Sequence, residues 1–217
     1  KVITVYYDDI RGLTPIIMFS PFDEEISALE WHNVTYSAGV GLPILVIGTV
    51  RGQVAIFDCR ARSIVSSIVF DNNSIGSLKW SPYDINVFFV GTNSFLYKCH
   101  LTMNEIIDIK VLWKYKFSFS VDMIAIDNHN GDNGIVANHS GHVQIIKNMS
   151  SNKIAVTGES MCLGSNEKMA VTNCEFSKAH PEFAIISTSV GSILFSLQLH
   201  ESVPYINVPG IKGTFEF

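Results

Sequence analysis

Apolar residues in this chain gather into short runs broken by turn-forming residues, and the runs recur four times in the same internal order. Each unit has an apolar strand ending on a bulky side chain, a second apolar strand, a tight turn, a third strand and a polar break. The strand-ending residues are Trp31, Trp80, Ile126 and Phe176, separated by 49, 46 and 50 positions, and the turn residues Gly52, Ser94, Gly141 and Gly191 follow with separations of 42, 47 and 50. The runs are rich in β-branched and aromatic residues and no 3.6-residue period persists, which predicts strands throughout.

The best-formed unit has strands over Ile26 to Trp31, Pro43 to Gly48, Gln53 to Asp58 and Ser63 to Phe70, with Arg51-Gly52 at the turn. The second has Ile75 to Trp80, Val87 to Gly91, Phe95 to Cys99 and Lys110 to Phe117, with Asn93-Ser94 at the turn. The third shows three strands, Val121 to Ile126, Ile135 to Asn138 and His142 to Ile146, around a polar loop from Asn128 to Asn133. The fourth also shows three, Val171 to Phe176, Phe183 to Thr188 and Ile193 to Leu197, and runs into a loose tail with Pro204, Pro209 and Gly210. Ahead of them, Val2 to Tyr7 and Ile16 to Phe19 predict the end of a preceding unit. The chain opens mid-strand without methionine, so its natural start is expected upstream.

Strands at this period, in units too small to bury both faces alone, predict an all-β fold, a β-propeller of four-stranded antiparallel blades. The blades fall at about 22–70, 71–118, 119–166 and 167–210, with 1–20 the tail of a preceding one. Because the repeat fills nearly the whole chain, one domain is expected. Val54, Leu96, Val143 and Ile193 hold one place in the third strand of each unit, two residues past the turn, as packing adjacent sheets face to face requires.

At these residues the chain resembles the WD-repeat family. Gly48-Thr49-Val50-Arg51-Gly52-Gln53-Val54-Ala55-Ile56-Phe57-Asp58 is similar to the family's third-strand motif with Phe57-Asp58 in place of Trp-Asp, and Leu78-Lys79-Trp80-Ser81-Pro82 to its first-strand ending. The likeness covers roughly residues 22 to 200. The closing dipeptide becomes Cys99-His100, Ile146-Lys147 and Ser196-Leu197 in later units, and the family's Gly-His pair before the inner strand is absent. The resemblance implies a seven-bladed ring, of which about four complete blades and part of another lie here. Missing blades or a partner chain would close it, since an open ring exposes strand edges and apolar faces.

Composition sharpens this picture. Hydrophobic residues make up 47% and charged residues only 16%, against about 25% charged in an ordinary soluble domain, so a covered surface is expected. A net charge of -5 gives no electrostatic reason to expect nucleic-acid binding. The longest apolar stretch, Gly39 to Val50, is shorter than the about 20 residues a membrane span needs and contains Gly41 and Pro43. Cys59, Cys99, Cys162 and Cys174 lack C-x-x-C spacing and sit in or beside strands, so they read as reduced thiols of an intracellular protein, cytoplasmic or nuclear. Asn33-Val34-Thr35, Asn72-Asn73-Ser74, Asn138-His139-Ser140 and Asn148-Met149-Ser150 match the glycosylation pattern, and in a chain rich in Asn and Ser they read as chance matches.

Candidate chemistry is sparse. His129, Asp132, His139 and His142 come nearest to a zinc set, but His139 and His142 flank a turn and read as loop residues. Lys110 to Phe117 interleaves cations with aromatics, and alternation puts Lys114 and Lys116 on one face and Trp113, Tyr115 and Phe117 on the other, the pattern of an outermost strand. Asp8-Asp9 and Asp23-Glu24-Glu25 read as turn residues, and Gly39-Val40-Gly41 lacks the third glycine of a dinucleotide fingerprint. No catalytic, cofactor or metal residue is assigned. Arg51, Arg60 and Arg62 are the charged residues best suited to hold an acidic segment of a partner protein.

The resemblance implies a non-enzymatic scaffold mediating protein–protein interactions in a multisubunit intracellular complex. An alternative of another class is a module that binds a peptide or a modified, histone-like tail at the propeller face, with Trp or Tyr caging a cation. A propeller enzyme would need acidic, His or Tyr residues at the inner-strand starts, where the sequence has mostly Ile, Val and Ser.

Overall fold

The computed structural model describes residues 2–9, 12–19, 22–32, 44–103, 107–129, 131–151, 153–163, 170–180, 182–196 and 201–202. The Gly39–Gly41 loop, the Asn33-Val34-Thr35 match and the tail with Pro204, Pro209 and Gly210 lie outside them. Every described element is a strand. A hairpin of β1 (Ile3–Asp9) and β2 (Gly12–Phe19) precedes four antiparallel sheets of four strands. The first holds β3 (Ile26–Trp31), β4 (Ile44–Thr49), β5 (Gln53–Asp58) and β6 (Ser63–Val69), and the second β7 (Ile75–Trp80), β8 (Val87–Thr92), β9 (Phe95–Met103) and β10 (Ile107–Lys116). The third holds β11 (Met123–Ile126), β12 (Gly134–Ala137), β13 (His142–Lys147) and β14 (Ala155–Cys162), and the fourth β15 (Val171–Phe176), β16 (Phe183–Thr188), β17 (Gly191–Ser196) and β18 (Glu201–Ser202).

Each sheet is a simple meander in chain order. The first strands stand next to one another, β3 against β7, β7 against β11 and β11 against β15, and on the outside β6 meets β10. That arrangement is compatible with the blades of a propeller.

The second strands show why the sheets stack. A sheet with one wet face alternates apolar and polar residues, whereas a sheet covered on both faces reads as a continuous apolar run. Ile44 to Ile47, Val87 to Val90 and Gly134 to Ala137 are such runs, buried at every position. Their members divide between two cores. Leu45 and Ile47 pack with Ile3, Val5 and Phe57, while Ile44 and Val46 pack with Leu78, Trp80 and Phe88 of the next sheet. Val87 and Phe89 continue the series against Ile124, Val136 and Ile146 of the third sheet, and Ala125, Ile135 and Ile145 do so against Cys174, Phe176 and Phe195 of the fourth.

Close approach between sheets is set by small residues ending the second strands. A Cβ on Gly48 would lie 2.6 Å from Ile75 Cγ2, and one on Gly91 would lie 2.4 Å from the Val121 carbonyl oxygen. Ala137 holds the corresponding place beside Val171.

Several elements depart from the sequence reading: β18 is a fourth strand in the fourth sheet where three were expected, and Asp8 and Asp9, read as turn residues, are paired in β1. The third sheet has a fourth strand, β14, whose pattern is broken because Gly158 to Ser160 stand opposite Gln144 alone, a bulge between the Val143–Met161 and Ile145–Thr157 pairs. In the fourth sheet Ile193 pairs with Ile186, on the side of the core shared with the third sheet, whereas Val54, Leu96 and Val143 face the sheet that follows them. The β16–β17 hairpin runs one residue out of step with the β4–β5 hairpin, pairing Ser187 with Ser192 where Gly48 pairs with Val54, and a one-residue change exchanges the faces.

The spacing argument predicts that Gly91→Ala destabilises the chain by about 1–3 kcal/mol, because the Val121 backbone cannot yield as a side chain could. Urea denaturation of the variant beside the wild type checks this.

Candidate functional site

The three arginines do not form one patch. Arg51 sits in the β4–β5 turn, 83% exposed at its side chain, with its Nε 3.9 Å from Glu24 Oε2. Arg60 and Arg62 sit in the β5–β6 turn, where Asp58 Oδ1 accepts from the backbone N–H of Arg60 at 2.7 Å and of Ala61 at 3.1 Å, and Arg62 takes the left-handed conformation at φ 54°. The six-residue strand β5 lies between the two turns, so about 20 Å separates them. They belong to opposite ends of the sheet.

Of the histidines that come nearest to a zinc set in the sequence, two are tied to neighbouring backbone and one stacks on an aromatic ring. His129 donates from Nε2 to the Lys178 carbonyl at 2.9 Å, His139 from Nδ1 to the Val171 carbonyl at 3.1 Å, and His142 stacks on Phe119 with ring centroids 5.5 Å apart. Asp132 accepts from the Ser150 hydroxyl. Among the described residues no three His, Cys, Asp or Glu are placed to hold a metal ion.

His129 is one member of a series. At the end of the sheets where first strands turn into second strands, His32 donates from Nε2 to the Ile85 carbonyl at 2.7 Å, and Tyr83 donates its hydroxyl to the Asn128 carbonyl. Each such loop is thereby fastened to the next: first sheet to second, second to third, and through His129 third to fourth. Gly131, at φ 64°, leaves room for the Tyr83 ring, since a Cβ there would come within 2.7 Å of it. The three contacts run along one row of loops, the row that shares its end with Arg60 and Arg62.

Sequence reasoning passed over Lys98, which is buried between the sheets. Its ammonium donates to three successive carbonyls in the β13–β14 turn, Met149 at 2.8 Å, Ser150 at 2.7 Å and Ser151 at 3.1 Å, and the Trp113 indole N–H also reaches Ser151 O at 3.2 Å. Burial holds the Lys98 pKa below the usual lysine range, opposed by the fields of Asp84 and Asp132. The signal was present in the sequence: Lys98 lies two residues past the core residue Leu96, so strand alternation puts both on the covered face.

The first strands line two grooves. One, of about 260 Å³, touches all four sheets at Ser27, Leu29, Ser77, Lys79, Met123 and Asn173. Polar groups around it are engaged locally: Ser77 Oγ donates to the Val121 carbonyl at 3.2 Å, Asp122 accepts from Ser120 Oγ and the His139 N–H, and Asn173 donates to Glu175 at 3.2 Å. The other, of about 350 Å³, lies between β1 and the first sheet, over Leu29, Glu30, Trp31 and Leu45. Here the repeat breaks. Leu78 and Trp80 of the second sheet are 7% and 2% exposed, but Leu29 and Trp31, at the same positions of the first, are 48% and 46% exposed.

Glu30 and Lys79 meet at the floor of this groove at 3.4 Å. Burial raises the Glu30 pKa, and the Lys79 charge opposes the shift without cancelling it. The cysteines divide by burial: Cys59, Cys99 and Cys174 are buried, with desolvation pushing the Cys174 thiol up to about 12, and Cys162 is exposed.

Lys98→Met should cost about 1–3 kcal/mol, since three carbonyls lose their donor while the hydrocarbon stem is kept, and chemical denaturation reads it. From pH 4.5 up to the raised Glu30 value, the folded chain holds a proton that the unfolded chain has released, so stability falls as pH rises through that window. Glu30→Gln should flatten this slope in thermal melts taken across pH 4 to 7. No family model matches the chain, and no curated protein matches it in sequence.

Proposed function

We propose that this chain is a non-enzymatic scaffold, part of a WD-repeat-like β-propeller whose loops and sheet edges hold other protein subunits in a multisubunit intracellular complex, cytoplasmic or nuclear. The four sheets are its blades, and the hairpin β1–β2 is the outer half of a fifth, within a larger ring. The row of cross-sheet contacts, His32 to Ile85, Tyr83 to Asn128 and His129 to Lys178, carries this reading. Loops fixed to their neighbours lose little conformational freedom when a partner binds, so many small contacts can add to one specific interface. The groups around the four-sheet groove favour the same reading, because their polar atoms hold strands together instead of forming a nucleophile and base pair. Among the described residues no helix is long and apolar enough to cross a membrane.

Arg60 and Arg62 stand at the fastened end and are assigned to partner contact there, and Arg51 is not. Isolated from its own cells, the full-length protein should carry other chains in fixed stoichiometry. The double variant Arg60→Glu and Arg62→Asn should weaken that association at least tenfold, whereas Arg51→Glu should leave it unchanged, as read by quantitative co-purification. The asparagine keeps a residue tolerant of φ 54° at position 62. A full-length protein running as a monodisperse monomer free of other chains would sink the proposal.

A further inference from the structure

Where the four sheets meet, they meet by their faces: Ile44 and Val46 on Leu78 and Trp80, Val87 and Phe89 on Ile124 and Val136, Ala125 and Ile135 on Cys174 and Phe176. Further sheets added at either end of the series would use faces again. The outer edge of a sheet inside the series is therefore not covered by continuing the series, and β10 supplies such an edge. It pairs with β9 alone among the described strands, in a sheet whose neighbours on both sides are present.

This strand is unlike the other outer strands. It has ten residues, where β6 has seven, β14 eight and β18 two, although proteins commonly blunt an open edge by keeping it short. It presents Val111, Leu112 and Tyr115 to solvent together with Lys110, Lys114 and Lys116, in a chain of net charge -5. A bulge at Leu112 divides it, and from Trp113 to Lys116 the register sorts the side chains by face. Lys114 and Lys116 stand opposite Tyr97 and Phe95 on one face, with the Lys114 ammonium 5.2 Å from the centre of the Phe95 ring, and Trp113 and Tyr115 stand opposite Lys98 and Leu96 on the other. Lysines along an edge repel a second basic edge, which keeps two copies of this chain from pairing there, and they attract a strand that carries carboxylates. The rings are engaged and do not form a platform for bases: Trp113 packs beside Phe89 with its indole N–H on the Ser151 carbonyl, and Tyr115 packs beside Phe117.

We propose that the outer edge of β10, at Trp113 to Lys116, takes an acidic β-strand of a partner protein, which joins the second sheet as its fifth strand. Main-chain hydrogen bonds hold the added strand, carboxylates on one of its faces meet Lys114 and Lys116, and apolar side chains on the other cover Tyr115. The recognised pattern is thus acidic and apolar residues in alternation. This rests on the scaffold reading and names the chemistry of one of its partners, held on a different sheet from Arg60 and Arg62.

The test uses the full-length protein and a biotin-tagged synthetic peptide of alternating glutamate and valine. Binding should be saturable, should weaken as salt is raised, and should slow hydrogen exchange at least tenfold for the β10 amides that point away from β9. The double variant Lys114→Glu and Lys116→Glu should lose at least tenfold in affinity for this peptide and gain as much for a peptide of alternating lysine and valine. Damage to the fold would not exchange the preference in this way. Lys178→Glu, on an exposed loop of the fourth sheet, should change neither affinity. No binding, binding that leaves β10 exchange unaltered, or a charge reversal that fails to exchange the preference would overturn the proposal. So would edge amides of β10 already slow to exchange before peptide is added, because the protein's own chain would then lie on the edge. Tighter binding of a single-stranded DNA oligonucleotide than of the acidic peptide would overturn it as well. If peptide binding fails while the Arg60 and Arg62 variant still loses its co-purifying chains, the edge site alone falls and the scaffold reading stands.

Discussion

Mutual burial of sheet faces is the constraint on which the structure depends. In the first three sheets the second strands run from Ile44 to Ile47, Val87 to Val90 and Gly134 to Ala137 without a polar residue because each face meets a different neighbour, whereas β16 of the fourth sheet begins with alternating half-buried and buried positions. A lone four-stranded sheet with this composition would leave Ile44, Val46, Phe88 and Val90 in water, at about 25 cal/mol per Å² of apolar surface. The sheets are therefore stable as a series. Their spacing follows from the same requirement, since Gly48 and Gly91 let the next first strand approach where a Cβ would collide.

Several polar groups between the sheets are matched to backbone. Lys98 brings a charge between the second and third sheets, and the turn carrying Asn148 at φ 60° presents three carbonyls to it. His32, Tyr83, His129 and His139 likewise each meet a carbonyl of the following sheet. Side chain to backbone bonds of this kind fix the position of one loop against another without asking for a matching side chain in each repeat. Two residues that resemble part of a zinc set in the sequence, His129 and His139, serve as such fasteners here.

The two ends of the series differ. Upstream, the first sheet presents Leu29 and Trp31 beside the free edge of β1. Downstream, the one-residue offset of the β16–β17 hairpin turns Ser187 and Ser192 to the far face, where their hydroxyls lie 3.3 Å apart, and sends Ile193 back toward the third sheet. The apolar pattern that demands a neighbour is thus strong at one end and softened at the other.

The four-fold order of apolar runs already determined the all-β character and the order of the first three strands in each sheet, and it marked the second strands of the first three sheets as covered on both faces, because side chains alternate along a strand and both alternating sets were apolar there. The strand-ending residues Trp80, Ile126 and Phe176 and the third-strand residues Val54, Leu96 and Val143 occupy the core as that pattern requires. It did not reveal β14, where a bulge destroys the alternation, nor the face of Ile193, which a one-residue change in hairpin register reverses. Local pattern carries no information on such offsets, since they arise from how two strands pair. Three matters were decided by tertiary structure alone: that Arg51 stands at the opposite end of the sheet from Arg60 and Arg62, that Lys98 meets three carbonyls, and that Trp31 is exposed where Trp80 is buried. Each depends on which element lies across from a residue, and Trp31 and Trp80, alike in sequence context, differ only in how many strands stand over them.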